Sequence, residues 1–354
     1  MEHAKVNGVE LEYEVVGSGE PMLLIHGAHI ADALQPLVAE TALERFQRIR
    51  YHRRGLGGST RPVDAGPTSV AVEAKDAIGL LDHVGVDRAH VVGHSLGGAI
   101  ALEVAAQHPA RVASLVLLEP AFLTTPAGAA FARAVAPLTE RYEAGDAKGA
   151  VHGFLALVGD RNWRATIEQT VPDGIAQAVK DAATFFETEL PGPTSTFGLE
   201  QAAAITCPVL SVLGSRSSPL FVEGRHLLHA WFPACQDADI VGATHLLQME
   251  APGPVAAAIA AFLLARFSRC AECELAGRQR AKIESYRVVG SSKAVTLSSE
   301  NASAVIGHAT VLSLYARSGP FPAWPVIRAI PSYVGPDARR GVPLVRPDWS
   351  RPHG

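Results

Sequence analysis

Gly93-His94-Ser95-Leu96-Gly97-Gly98 follows the apolar run Ala89-His90-Val91-Val92 and precedes a helix-like stretch over residues 99–106. The order strand, G-x-S-x-G, helix is the nucleophile-elbow pattern. A tight strand-to-helix turn forces the serine into a strained backbone conformation with its hydroxyl at the apex. Gly93 and Gly97 flank it because a Cβ at either position would collide with the neighbouring backbone. The helix that starts behind Ser95 points free N–H groups at the place where an oxyanion would form. The chemistry this suits is attack by Ser95 Oγ on a carbonyl carbon. A serine hydroxyl is a poor nucleophile at neutral pH and needs a hydrogen-bonded base. Histidine fits that task because its unperturbed pKa lies near ambient pH, and the chain offers 14 of them.

The elements that must position these groups are legible as hydrophobic runs. Strands are predicted over 11–16, 22–25, 48–51, 89–92, 114–118, 209–213 and 239–241, and helices over 70–84, 99–107, 221–232 and 254–267. From the third strand onward strands mostly alternate with helices, which predicts an α/β fold: a mostly parallel, twisted sheet with helices on both faces. Between 122 and about 204 no strand is evident. Ala-rich amphipathic stretches broken by Pro137, Gly145, Gly153, Pro172 and Pro191–Pro193 predict a helical insertion between two strands. The core is therefore expected over 1–121 and 205–268.

Composition excludes several function classes. The chain has 354 residues, 48% of them hydrophobic, and a net charge of −4. That balance argues against nucleic acid or an anionic membrane surface as the main partner. No apolar stretch reaches membrane-spanning length. The opening residues Met1-Glu2-His3-Ala4-Lys5-Val6-Asn7-Gly8 lack the apolar segment of a secretory signal, which points to the cytoplasm. Cys207, Cys235, Cys270 and Cys273 are too few and too scattered for a disulfide framework. Cys270-x-x-Cys273 has no second pair or histidine cluster beside it, so no metal and no cofactor is expected. Residues 269–354 differ in character, with twelve Lys and Arg against six Asp and Glu and a proline every few residues beyond Ser318. Such a basic, Pro-rich tail is expected to be disordered.

Four segments in order carry a resemblance. Leu23-Leu24-Ile25-His26-Gly27-Ala28, Tyr51-His52-Arg53-Arg54-Gly55-Leu56-Gly57-Gly58-Ser59, the Ser95 elbow, and Gly242-Ala243-Thr244-His245 with Glu250-Ala251-Pro252 together resemble the α/β-hydrolase fold family over residues 1 to about 268. The resemblance implies that His245 is the base, that His26 and His94 are structural, and that 122–204 forms a helical cap. It also implies an oxyanion hole from the backbone N–H groups of Leu96 and Ala28, and a structural role for Glu250 and for the Arg53-Arg54 turn. One departure stands out. Most relatives keep an aspartate in the loop after the strand that follows the insertion, whereas Val209-Leu210-Ser211-Val212-Leu213-Gly214-Ser215-Arg216-Ser217-Ser218-Pro219 contains no carboxylate. A neutral hydroxyl cannot stabilise the imidazolium that forms on His245. Glu119, at the end of the strand beside the elbow strand, is the expected acid, since some family members place theirs there. Asp237 and Asp239 are the other candidates.

These readings lead to a serine hydrolase that cleaves a small-molecule carboxylic ester, lactone or thioester-like acyl bond with a Ser95-His245-Glu119 triad. A C–C bond hydrolase or cofactor-free perhydrolase on the same triad, or a non-enzymatic ligand receptor built on the fold, are the alternatives. Phe131, Phe154, Trp163, Phe185 and Phe186 are candidates for an apolar acyl pocket. The residues specify no oligomeric state.

Overall fold

The computed structural model describes residues 1–62, 66–192 and 197–265. The chain divides into two units, Met1–Val289 and Gly290–Gly354, and all described residues belong to the first. The expectation about 269–354 and the Cys270-x-x-Cys273 spacing lie outside the described residues.

Among the described residues eight strands form one sheet: β1 Glu2–Val6, β2 Val9–Val16, β3 Glu20–Ile25, β4 Phe46–Tyr51, β5 Ala89–His94, β6 Val112–Leu118, β7 Val209–Gly214 and β8 Gln236–Ile240. Their spatial order is β1-β2-β4-β3-β5-β6-β7-β8. The β1–β2 and β2–β4 pairs are antiparallel, and every later pair is parallel. The helices are α1 Gln35–Val38, α2 Val70–His83, α3 Leu96–Gln107, α4 Pro126–Glu143, α5 Ala147–Val158, α6 Trp163–Thr170, α7 Gly174–Lys180, α8 Leu199–Ala202, α9 Pro219–Trp231 and α10 Leu247–Glu250. A further helix, α11, runs over 252–265.

Side-chain alternation along the central strands builds two cores. On β3, Leu23 and Ile25 pack with α2 and α3, while Met22 and Leu24 pack with α1 and α11. The period-two pleat sends successive residues to opposite faces, so a strand covered by helices on both sides reads as a continuous apolar run. That is why Leu115-Val116-Leu117-Leu118 and Val209-Leu210 are recognisable from sequence.

Edge strands behave otherwise. β1 is absent from the expected elements because Glu2, His3 and Lys5 face solvent and only Ala4 and Val6 are buried. β8 begins three residues before its expected start and excludes Val241, which is 89% exposed. Its residues Gln236-Asp237-Ala238-Asp239 carry almost no apolar signal, because an outermost strand presents one edge and much of its surface to water.

Between β6 and β7 the described residues form α4–α7, the π-helical stretch Thr184–Glu189 and the short α8. Thr125 and Asp146 cap α4 and α5, accepting from Gly128 N and Gly149 N. Pro137 lies inside α4 and does not break it, contrary to the sequence expectation. Pro137 and Arg133 are both exposed, so the carbonyl that loses its N–H partner is open to water. These helices share a third core that includes Phe154, Trp163, Phe185 and Phe186 and reaches Ile30, Leu246 and Met249 at the end of the sheet.

Candidate active site

Ser95 connects β5 to α3 with φ 54° and ψ −120°. Such a left-handed backbone costs a non-glycine residue about 1–3 kcal/mol and persists only where surroundings enforce it. Here the enforcement is visible. Ser95 N donates to Leu118 O at 3.0 Å, and Ser95 O accepts from Gly98 N at 2.9 Å. A Cβ on Gly97 would lie 2.2 Å from Ile25 O, and one on Gly93 2.3 Å from Gly97 O. Both positions therefore exclude any side chain. Helix α3 begins at Leu96 rather than at residue 99, because the turn passes directly into helical geometry.

The loop after β3 passes against the nucleophile, since a Cβ on Gly27 would lie 3.0 Å from Ser95 Cβ. Arg53 holds that loop in place. It is fully buried, and its guanidinium donates to His26 O at 3.1 Å and Gly27 O at 3.0 Å, while Arg53 N donates to His26 Nε2 at 3.0 Å. Arg54 forms a two-pronged pair with Asp76. Ala28 follows this fixed loop, Leu96 occupies the first turn of α3, and both line the same cavity as Ser95.

His245 lies in the turn after β8. Thr244 N and Oγ1 donate to Glu250 at 2.6 and 2.8 Å, which locks the turn onto α10. His94 Nε2 lies 2.9 Å from His245 O, and a carbonyl can only accept, so that nitrogen carries the proton. The His245 ring stacks on Phe221 with centroids 3.8 Å apart and planes 6° from parallel. Ser95 and His245 together line a small recess beside Ala28.

Glu119 completes the cluster from the end of β6. It adopts φ 49°, and its N–H donates to Val212 O at 3.2 Å. Its carboxylate extends to the end of neighbouring β7. There Oε1 accepts from Gly214 N at 2.7 Å and from Ser217 Oγ at 2.5 Å, and Oε2 lies 2.7 Å from His245 Nδ1. Ser217, on the carboxylate-free loop after β7, thus hydrogen-bonds the glutamate. Asp237 pairs with His229 and Arg225, and Asp239 with Arg225.

Burial dominates the electrostatics. It pushes the Glu119 carboxyl up to about 7, against the Ser217 and Gly214 hydrogen bonds that favour the charged form. It also holds His245 down to about 3, so the ring rests neutral, the form that can accept a proton. His94 is likewise held down to about 3, by burial first and then by His245.

The cavity in front of Ser95 measures about 700 Å³. Phe131, Phe154, Phe185 and Phe186 line it, as does Phe221. Trp163 does not. It packs inside the helical insertion, its ring 5.6 Å from that of His152. Sequence reasoning missed Phe221, Glu73 and Glu189 as site residues. Nothing local marks them, because each reaches the site through an element packed from elsewhere in the chain. Among the described residues no group of three or more His, Cys, Asp or Glu side chains is placed to hold a metal ion, and no helix is long and apolar enough to cross a membrane.

Comparison with known proteins adds to this geometry. A family model described as alpha/beta hydrolase fold matches residues 20–252. A putative carbamate hydrolase RutD of Azorhizobium caulinodans is 38% identical over 118 residues, 33% of this chain and 44% of that protein. The 2-hydroxymuconate semialdehyde hydrolase of Pseudomonas putida is 41% identical over 104 residues, 29% of this chain and 37% of that protein. The matches thus span less than half the length of these curated relatives. An enol-lactonase from Burkholderia xenovorans LB400 superposes with a TM-score of 0.62 at 22% identity, covering 74% of this chain and 100% of its own. A thermophilic esterase from Thermogutta terrifontis gives 0.61 at 24% identity, covering 75% and 99%. At such identities these structures establish the fold.

Proposed function

We propose that this chain, which belongs to the alpha/beta hydrolase fold family, is a serine hydrolase that cleaves carboxylic esters or related acyl bonds with Ser95, His245 and Glu119. The observation that carries the reading is the buried 2.7 Å contact between Glu119 Oε2 and His245 Nδ1, on a histidine that shares a recess with the strained Ser95. Ser95 Oγ attacks the carbonyl carbon while His245 Nε2 takes its proton. Glu119 holds the Nδ1–H tautomer and stabilises the imidazolium. The N–H groups of Leu96 and Ala28 receive the oxyanion. Collapse of the tetrahedral intermediate expels the alcohol, which leaves with the proton from His245. Water then attacks the acyl-enzyme, gives its proton to His245, and releases the acid and Ser95.

The helices from 122 to 204 serve as a cap whose phenylalanines form the acyl pocket. Esters of graded acyl length, offered to the protein and to its Ser95→Ala variant, test this reading. A burst of alcohol followed by steady turnover, present only with Ser95, supports it. Absence of turnover on every ester removes it. The identity to 2-hydroxymuconate semialdehyde hydrolase supports a second reading, hydrolysis of an activated C–C bond on the same triad. Offering that semialdehyde beside the esters separates the two by their relative kcat/KM.

A further inference from the structure

Two carboxylates share one guanidinium beside the cavity. Arg53 Nη1 lies 2.6 Å from Glu73 Oε2 and 2.8 Å from Glu189 Oε1. The Glu73 and Glu189 side chains are only 4% and 3% exposed, and both line the cavity that contains Ser95. Glu189 Oε2 is buried with no hydrogen-bond partner. Arg54 brings no relief, because it is committed to Asp76. Burial, with the neighbouring Glu189, pushes the Glu73 carboxyl up to about 7 against the pull of Arg53, so the cluster sets two buried carboxyl groups against one positive charge. Burying an unpaired carboxylate is costly, and Glu189 ends the π-helical stretch Thr184–Glu189, a local geometry frequent at functional sites.

The rest of the cavity lining has the same sign. Glu140 and Glu143 stand at exposed positions of α4 along it, and among the described residues no lysine, arginine or histidine lines it. The remaining wall is mostly apolar.

We propose that Glu73 and Glu189 form a subsite for a primary ammonium group, so that the enzyme selects esters bearing an amine and rejects those bearing a carboxylate. The inference rests on the esterase reading for its catalytic half only. An ammonium carries three N–H donors and no acceptor. It can donate to Glu189 Oε2 and to Glu73, and its charge favours the ionised form of both carboxyls, which leaves two charges of each sign. A neutral alkyl arm leaves the unpartnered oxygen as it is. A carboxylate arm adds a further negative charge in a low-dielectric pocket where, among the described residues, no free cation meets it. Glu140 and Glu143 favour approach of the cation through their field.

The test has a catalytic and a binding arm, both on the full chain. The catalytic arm compares kcat/KM for p-nitrophenyl esters of ε-aminocaproic, heptanoic and adipic acid. The amine ester is expected to exceed the heptanoate by roughly tenfold to a hundredfold, the effect of hydrogen bonds to charged groups, and the adipate monoester to be the poorest. Glu189→Gln should bring the amine-to-heptanoate ratio to about one, while Glu189→Asp, which keeps the charge, should retain most of it. The binding arm titrates phenylbutylammonium, phenylbutanol and phenylbutyrate calorimetrically, and expects the ammonium to bind most tightly. Equal kcat/KM for the amine and heptanoate esters, or a ratio untouched by Glu189→Gln, overturns the subsite. Tight ammonium binding without turnover of any ester overturns the esterase reading and supports the subsite.

Discussion

Replacing Glu119 with glutamine keeps the shape of the side chain and removes its charge, and the surrounding hydrogen bonds dictate how the amide must sit. Gly214 N–H can only donate, and it lies 2.7 Å from Oε1. The glutamine oxygen therefore takes that position, because an NH2 there would set donor against donor and leave a buried N–H unsatisfied at a cost of about 1–3 kcal/mol. The NH2 group then faces His245 Nδ1, where the carboxylate had been at 2.7 Å. To accept from it, His245 must carry its proton on Nε2, facing Ser95. That is the wrong tautomer for a base, and no negative charge remains to stabilise an imidazolium. The expected loss is about ten-thousandfold in kcat, or about 5 kcal/mol of transition-state stabilisation. Steady-state hydrolysis of a p-nitrophenyl ester measures it, with circular dichroism and Tm confirming an intact fold. Turnover within about tenfold of the parent would refute the reasoning, since it would mean that another group orients His245.

The remaining expectations follow from the same geometry. Ser95→Ala should fold normally, because a methyl side chain fits the turn, and should lose the acyl-enzyme burst; activity above a few per cent in pure protein would remove Ser95 as nucleophile. With the Glu119 carboxyl raised to about 7, the productive ionised form is lost as pH falls, so kcat/KM should drop about tenfold per unit on the acid side of neutrality, and Glu119→Gln should erase that limb. Ser217→Asp in the Glu119→Gln background should recover part of the lost rate, because it restores a carboxylate on the loop whose Ser217 Oγ already lies 2.5 Å from the Glu119 oxygen; no recovery would show that this loop cannot present a charge to His245. Gly97→Ala, whose Cβ would meet Ile25 O at 2.2 Å, should destabilise the protein by about 3 kcal/mol or more in chemical denaturation, and near-parental stability would contradict the close approach.

Much of the site was readable because its parts are encoded over short stretches. The elbow is such a case: a buried strand, a turn that needs glycines for close backbone approach, and a helix all fit within about twenty residues. The turn carrying His245 and Glu250 is equally local, since Glu250 accepts from Thr244 six positions earlier. The two-sided burial of β3 and β6 leaves the apolar runs Met22-Leu23-Leu24-Ile25 and Leu115-Val116-Leu117-Leu118, which a half-exposed strand would not show. Edge strands β1 and β8 lacked that imprint, and Pro137 misled because whether a proline ends a helix depends on which face meets water.

What the sequence determined was the candidate groups proposed to react and the order of elements that carry them: the serine on its turn, the histidine on its loop, the alternating strands and helices. It also showed that the usual loop holds no acid, which made Glu119 the candidate. Only the tertiary structure decided how that glutamate is held, because the decision depends on neighbours remote in the chain. Glu119 and His245 are 126 positions apart, and Ser217 is 98 from Glu119. They meet because parallel strands bring their carboxyl ends to one edge of the sheet. The same is true of Glu73 and Glu189, which converge on Arg53 from α2 and from the insertion before β7. Their chemistry depends on charge balance in a buried space, and that space exists only once the chain has folded.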